Sequence, residues 1–168
     1  MPAEQRETGK VVAVCWSKKK GTRKTRIDEG VIEVNCGLKD DAHADCSSHR
    51  QVSLLSTDSI EKMRKLGLDV GPGDFAENLT TEGMDIVHLP VGTRIGVNDV
   101  ILEVTQIGKE CHTRCAIYHQ VGQCAMPEEG VFARVLQGGV VRPGDTLKVI
   151  ETDESQKHGS GTDSGLQT

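Results

Sequence analysis

Residues 108–130, GKECHTRCAIYHQVGQCAMPEEG, hold three of the six cysteines and two of the six histidines in the chain. Three chemistries use such a cluster: a closed zinc site, a disulfide clasp, or a reactive thiolate that carries sulfur or binds a softer metal. Zinc takes four tetrahedral ligands, and structural sites commonly show paired Cys or His at short spacing twice over. Cys111 and Cys115 make one such pair, and Cys124 is the next zinc-ligand candidate, with His112 and His119 nearby, but no second tight pair follows. On a strand Cys111 and Cys115 share a face, and on a helix they are neighbours four apart, so either geometry brings the two sulfurs together. Cys115 differs from the others because it follows Arg114 and lies three residues from His112. Nearby positive charge lowers a thiol's pKa and raises its thiolate fraction. Such a thiolate accepts sulfane sulfur as a persulfide or ligates molybdenum. On chemistry alone the reactive thiolate, the structural zinc site and an inert packing role all stay open.

The elements that must position this cluster read mainly as strands. Short β-branched runs recur between turn residues at 10–17, 30–34, 50–55, 77–81, 93–97, 100–107, 131–136 and 146–150. Asn98-Asp99 predicts a hairpin turn, since both residues tolerate positive φ, and Arg142-Pro143-Gly144-Asp145 predicts a type II turn. One helix interrupts the strands. Asp58 as N-cap with Glu61 three positions on reads as a capping box, Ile60 and Met63 supply a narrow apolar stripe, and Gly67 stops the helix. Strands at this spacing predict a barrel or sandwich, with the helix covering one end or edge. Residues 1–8 read as an N-terminal arm, 9–150 as the domain, and 151–168, polar and rich in Gly and Ser, as a disordered tail.

Bulk properties narrow the setting. A chain of 168 residues makes about one domain and buries a core without staples. Its opening, MPAEQRETGKVVAVCWSKKK, has no apolar run of signal-peptide length, and no segment is long enough to span a bilayer, so a cytoplasmic location is expected. There, cysteines serve as free thiols, metal ligands or catalytic groups more often than as disulfides, which puts the clasp last. A formal charge of −5, with one Trp, one Tyr and two Phe, argues against nucleic-acid binding. Against that acidic background KKKGTRKTR at 18–26 carries six basic residues in nine. It reads as a solvated hairpin loop, or as a loop that meets a phosphate-bearing ligand or an acidic partner protein.

GKECHTRC, GQCAMPEEGVFARVLQGG and VRPGDTLKVI, with GLKDDAHAD, HRQVSLLS and PGDFAENLTTEG upstream, resemble in sequence and order a small stand-alone protein of the MOSC family, named for the C-terminal domain of molybdenum cofactor sulfurases. The resemblance runs from Gly9 to Ile150. It implies a mainly β fold, a MOSC-type β-barrel with one or two short helices, and an activity around the molybdenum cofactor and sulfur. Several relatives use a cysteine in an Arg-Cys context to hold molybdenum or to carry the sulfur delivered to it, and Cys115 matches that position, with Arg114 and His112 beside it. Glu77 and Asn78 match the family's G-D-x-x-E-N-L loop, where they either contact the pterin or fix the loop, and Arg50 is a candidate for a phosphate. Gln51 and Ser53 read as strand-face residues. Asp41 and His43 fall in a pattern that usually reads G-L-x-G-D-x-H, but Asp40 stands here where a glycine is expected. Aspartate tolerates the left-handed turn better than most residues, while its carboxylate opposes an anionic cofactor. Pyridoxal phosphate belongs to the desulfurase part of full sulfurases, and this chain has no room for that fold.

Three functions compete. The first is a sulfur carrier or cofactor-binding protein, in which Cys115 takes sulfur from a cysteine desulfurase and passes it to a molybdenum enzyme or a cofactor-biosynthesis protein. The second is a molybdenum-dependent reductase of small N-hydroxylated substrates. The third is a non-catalytic binding module with a structural zinc site at Cys111, Cys115 and Cys124.

Overall fold

A computed structural model describes residues 8–19, 24–42, 44–108 and 129–151. Every run expected to be a strand forms one: β1 (Thr8–Trp16), β3 (Gly30–Glu33), β5 (Val52–Ser56), β6 (Leu79–Glu82), β7 (Arg94–Val97), β8 (Val100–Ile107), β9 (Val131–Gln137) and β11 (Thr146–Glu151). Three short strands join them: β2 (Thr25–Ile27), β4 (Gly37–Leu38) and β10 (Gly139–Val141). Seven of the strands close into a barrel in the order β11-β7-β8-β9-β5-β6-β1, and β1 pairs back onto β11. β2 extends the sheet beyond β1, while β10, β3 and β4 form a separate small sheet.

Alternation explains the barrel interior. In β8 Val100, Leu102 and Val104 point inward and are fully buried, while Ile101, Glu103 and Thr105 are partly exposed. Register shifts in the β1–β6, β8–β9 and β7–β11 ladders supply the bends that closure requires. The hairpin turn between β7 and β8 forms with Asn98 at φ 55°, and Gly144 takes φ 96° in the turn before β11.

All barrel neighbours are antiparallel except β5 and β6. Their crossover carries α1 (Thr57–Lys65) and the loop down to Asn78. Ile60 and Met63 of α1 pack with Leu55, Leu68, Val70 and Phe75 into a second small core outside the barrel. Each such side chain stabilises by about 1.5–3 kcal/mol on burial. The N-cap is Ser56 and not Asp58: the Ser56 hydroxyl accepts from the Asp58 backbone N–H at 3.0 Å, because the strand β5 leads directly into the helix. Gly67, φ 101°, ends it as anticipated. The Gly67 N–H bonds to the Arg64 carbonyl and that of Leu68 to the Met63 carbonyl, the pairing of a Schellman motif, with Leu68 and Met63 supplying its apolar contact. A 3-10 turn at Ile86–His88 is a further helical piece among the described residues. Among the described residues, no helix is long and apolar enough to cross a membrane.

Candidate functional site

The thiol cluster belongs to the connection between β8 and β9. Cys111, His112, Arg114, Cys115 and Cys124 lie outside the described residues, as does His43. What the structure describes is the root of that connection. The Gly108 N–H donates to the Gly130 carbonyl at 2.6 Å, so the chain leaves and re-enters the barrel rim at one point. Arg50 sits at this root with its guanidinium 5.8 Å from the ring centroid of Phe132, the second residue of β9. Beside it the His49 ring and the Gln106 side chain meet at 2.7 Å, and the Thr105 hydroxyl donates to the His49 carbonyl at 2.7 Å. Glu129 fixes the other side to α1, accepting from the Ser59 hydroxyl and the Lys62 ammonium, each at 2.5 Å. Burial pushes the Glu129 carboxyl up, but the bonds from Lys62 and Ser59 outweigh it and leave the carboxyl lowered. Glu129 carries no special pattern in the sequence, so this anchor is a finding of the structure alone.

The Gly73–Leu79 loop packs inward. Gly73 has φ 89°, and a Cβ there would run into the Lys24 carbonyl and lie 3.2 Å from the Cys15 sulfur, so only glycine fits. Ala76 is also left-handed, φ 66°, a conformation that costs a non-glycine residue about 1–2 kcal/mol. Asn78 holds it in place. Its Oδ1 accepts from the Ser53 N–H at 3.1 Å, its Nδ2 donates to the Cys15 carbonyl at 3.2 Å, and its own N–H and carbonyl bond to Ser53 and Cys15. Glu77 is equally buried, with Oε2 accepting from the Gly73 N–H at 2.9 Å and the Thr80 hydroxyl at 2.6 Å. Burial pushes its carboxyl up despite these bonds, and Oε1 has no hydrogen bond among the described residues. Glu77 and Asn78 therefore fix the loop and join β1, β5 and β6; of the two readings of the E-N-L loop, this is the one their geometry supports. Gln51, expected to be a plain strand-face residue, instead bridges Val135, Asn35 and Ser48 through its buried amide.

Asp41 is likewise a structural residue. Its carboxylate takes the Lys24 ammonium at 2.7 Å, both side chains being fully buried, and the Ser17 N–H at 3.0 Å. Burial pushes the Asp41 carboxyl up, but Lys24, the Ser17 amide and the Asn78 side chain together hold it below its usual value. Lys24 is thus removed from the basic run as a ligand-binding cation: it is spent on Asp41. The turn before Asp41 survives without its glycine, Asp40 taking φ 69°. The expectation that the cysteines are unbridged is overturned at one place. Cys36 and Cys46 form a disulfide that closes the loop carrying Asp41. Cys15 is the free cysteine among the described residues; burial, then the Glu77 charge, push its thiol up to about 12.

Among the described residues, one cleft of about 520 Å³ opens between β2 and α1, lined by Lys24, Arg26, Arg64, Asp69, Gly71 and Asp74 among others, and another of about 430 Å³ opens beside His49, Thr105 and Arg134. Among the described residues no three His, Cys, Asp or Glu side chains converge on a metal site. The described residues thus suit the anionic part of a pterin cofactor, through guanidinium groups, and the thiol ligands that a molybdenum ion needs are on 109–128.

A family model described as MOSC domain matches residues 40–148. No curated protein matches the chain. Among solved structures, the YuaD protein from Bacillus subtilis superposes with a TM-score of 0.71 at 18% identity, covering 84% of this chain and 95% of that one. YiiM from Geobacillus stearothermophilus gives 0.65 at 19% identity over 85% and 75% of the two chains, and YiiM from Escherichia coli gives 0.59 at 17% identity over 84% and 70%. At these identities the likeness is one of fold.

Proposed function

The chain belongs to the MOSC domain family, which is associated with the molybdenum cofactor, and from that premise we propose that it is a sulfur carrier and cofactor-binding protein acting through Cys115. The observation that supports the reading is the root of the β8–β9 connection. The segment bearing Cys115 is tied at both ends to the barrel rim, by the Gly108–Gly130 hydrogen bond and by Glu129 on α1, and Arg50 adds a positive charge there. The Cys115 thiolate attacks the terminal sulfur of a persulfide on a cysteine desulfurase. One S–S bond forms as another breaks, the donor's cysteine leaves as thiolate, and no external oxidant or reductant is needed. Arg114 and His112 keep Cys115 ionised. When bound, the molybdenum cofactor supplies a thiophilic metal to which Cys115 is the ligand by softness. The partners of this reading are the desulfurase as donor and a molybdenum enzyme or cofactor-biosynthesis protein as acceptor.

The test is sulfur loading. Incubated with a cysteine desulfurase and cysteine, the protein is expected to gain one sulfur atom on the Cys115 peptide by mass spectrometry. Cys115→Ser abolishes the gain with a melting change of about 1–2 °C, a fraction of a kcal/mol for a domain of this size, while Cys111→Ser and Cys124→Ser keep part of it. If all three variants lose stoichiometric zinc and melt early, the cluster is a structural zinc site and the carrier reading is wrong.

A further inference from the structure

We propose that the Cys36–Cys46 bridge is a thiol–disulfide exchange site for small thiols and dithiols, with Cys46 as the sulfur that is attacked and Cys36 as the leaving and resolving thiol. The bridge lies at the surface. Cys46 is exposed, in a turn closed by the Ser48 N–H on the Asp45 carbonyl, while Cys36 is half-buried in the turn after β3. Access therefore directs an incoming thiolate to Cys46. Asp45 precedes Cys46, with Oδ1 on the Ser47 N–H and hydroxyl, and a carboxylate there disfavours a Cys46 thiolate, so Cys36 is the better leaving group.

What holds the two turns together does not depend on sulfur. The buried Gln51 amide donates to the Asn35 Oδ1 at 3.1 Å and to the Ser48 carbonyl at 2.9 Å, which clips the residue before Cys36 to the turn that carries Cys46. Val135 of β9 fixes this clip to the barrel: its carbonyl accepts from the Asn35 N–H and its own N–H donates to the Gln51 Oε1, both at 2.9 Å. Across the mouth of the loop the Asp45 N–H donates to the Cys36 carbonyl at 2.9 Å. Within the loop Asp41 stays on Lys24, and the Ala42 N–H on the Ser17 carbonyl at 2.8 Å. An opened bridge thus leaves two thiols side by side on a framework kept in place by the barrel wall, and closure has the advantage of an intramolecular step. In the exchange a thiolate bonds to the Cys46 Sγ as the Cys36–Cys46 bond breaks and Cys36 departs as thiolate. Cys36 then returns to Cys46 and expels the reductant, or the second thiolate of a dithiol attacks the mixed disulfide and releases Cys46. The second course leaves both cysteines reduced and the dithiol oxidised to its cyclic disulfide; two electrons pass to the bridge, and the protein thiolates take protons from water.

This site shares no residue with 109–128, and peptide mass spectrometry after alkylation reads Cys36 and Cys46 apart from Cys115, so its failure is distinct from that of the sulfur-carrier reading. Titrated with mixtures of reduced and oxidised glutathione, or with dithiothreitol, the full chain is expected to open and re-form the bridge reversibly and to stay folded by circular dichroism. Trp16, the sole tryptophan, lines a hollow with Leu38, Lys39 and Asp40, so its fluorescence reports on the loop and is expected to keep its native signal. Cys36→Ser, which has no resolving thiol, traps a stoichiometric mixed disulfide of glutathione on Cys46. In Cys46→Ser the half-buried Cys36 forms its adduct about tenfold more slowly or less. Asn35→Gly keeps the left-handed backbone at φ 54° but removes the acceptor of Gln51, and lowers the oxidised-to-reduced ratio of the bridge in a fixed glutathione mixture about fivefold, the equivalent of one hydrogen bond. Unfolding on reduction would make the bridge a fold staple and overturn the proposal. Equal adduct rates at Cys36 and Cys46, or a bridge that re-forms no more readily in the native chain than in urea, would overturn it as well.

Discussion

Replacing Asp41 by alanine tests whether this residue serves the fold or a cofactor. The substitution leaves the Lys24 ammonium fully buried without its carboxylate, with the Ser17 hydroxyl at 3.2 Å among its remaining contacts, and strips an acceptor from the Ser17 N–H and the Asn78 amide. Breaking a buried pair from one side costs about 3–5 kcal/mol, since the remaining charge keeps its desolvation penalty. For a domain of this length each kcal/mol moves the melting temperature by about 2–4 °C, so the expected fall is roughly 6–20 °C. Urea melts of Asp41→Ala, Lys24→Met and the double variant form a cycle in which the double variant recovers much of the loss, because two apolar groups replace two charges. Acidity gives a second reading. The folded Asp41 carboxyl is held below its unfolded value of 3.8, so its contribution is present above that pH and is lost as pH falls through the folded value. If Asp41→Ala costs under about 1 kcal/mol, the value typical of an exposed pair, the pair is not desolvated and Asp41 is free to serve a ligand.

Cys15, with its thiol raised to about 12 from 9.0, is expected to resist alkylation in the native protein and to react once the chain is unfolded in denaturant; its stabilisation is present below pH 9 and lost as pH rises through 12. Reaction of Cys15 at native rates equal to a free thiol would show that the β1–Gly73 packing opens readily. Glu129→Gln should weaken the anchor to Ser59 and Lys62, lower sulfur loading at Cys115 more than it lowers the melting temperature, and flatten the loss of loading below pH 4.5; unchanged loading would detach α1 from the thiol segment.

Strands of four residues or more announced themselves as short β-branched and apolar runs between turn residues, most plainly where the apolar positions alternate, as Val100, Leu102 and Val104 do. β2, β4 and β10 were illegible for a different reason. Thr25-Arg26-Ile27 lies inside a basic run, Gly37-Leu38 is two residues long, and Gly139-Val140-Val141 follows β9 across a single glycine, so pairing partners and not local pattern make them strands. The same blindness covers the site. Nothing near Lys24 says that its partner stands at Asp41, and Arg64 reads as an ordinary last-turn cation until Val70 and Glu61 orient it. The helix stop at Gly67 was legible, since a Schellman end is a local motif. The Cys36–Cys46 bridge was not, because a compartment argument averages over proteins and says nothing about two sulfurs brought together by one turn.

A ring of seven strands has a consequence of parity. Going once round a closed barrel, the strand direction must return to its start, so the number of antiparallel junctions is even, and seven junctions cannot all be antiparallel. One parallel neighbour is obligatory, here β5 beside β6. A parallel pair cannot be joined by a tight turn. Residues 57–78 therefore cannot be shortened to a hairpin link, as the turn at Asn98-Asp99 already is, without inverting a strand or opening the ring. The arithmetic of the barrel thus sets aside one long excursion outside the wall, and in this chain that excursion carries α1, Arg64, Gly71 and the loop that ends at Asn78.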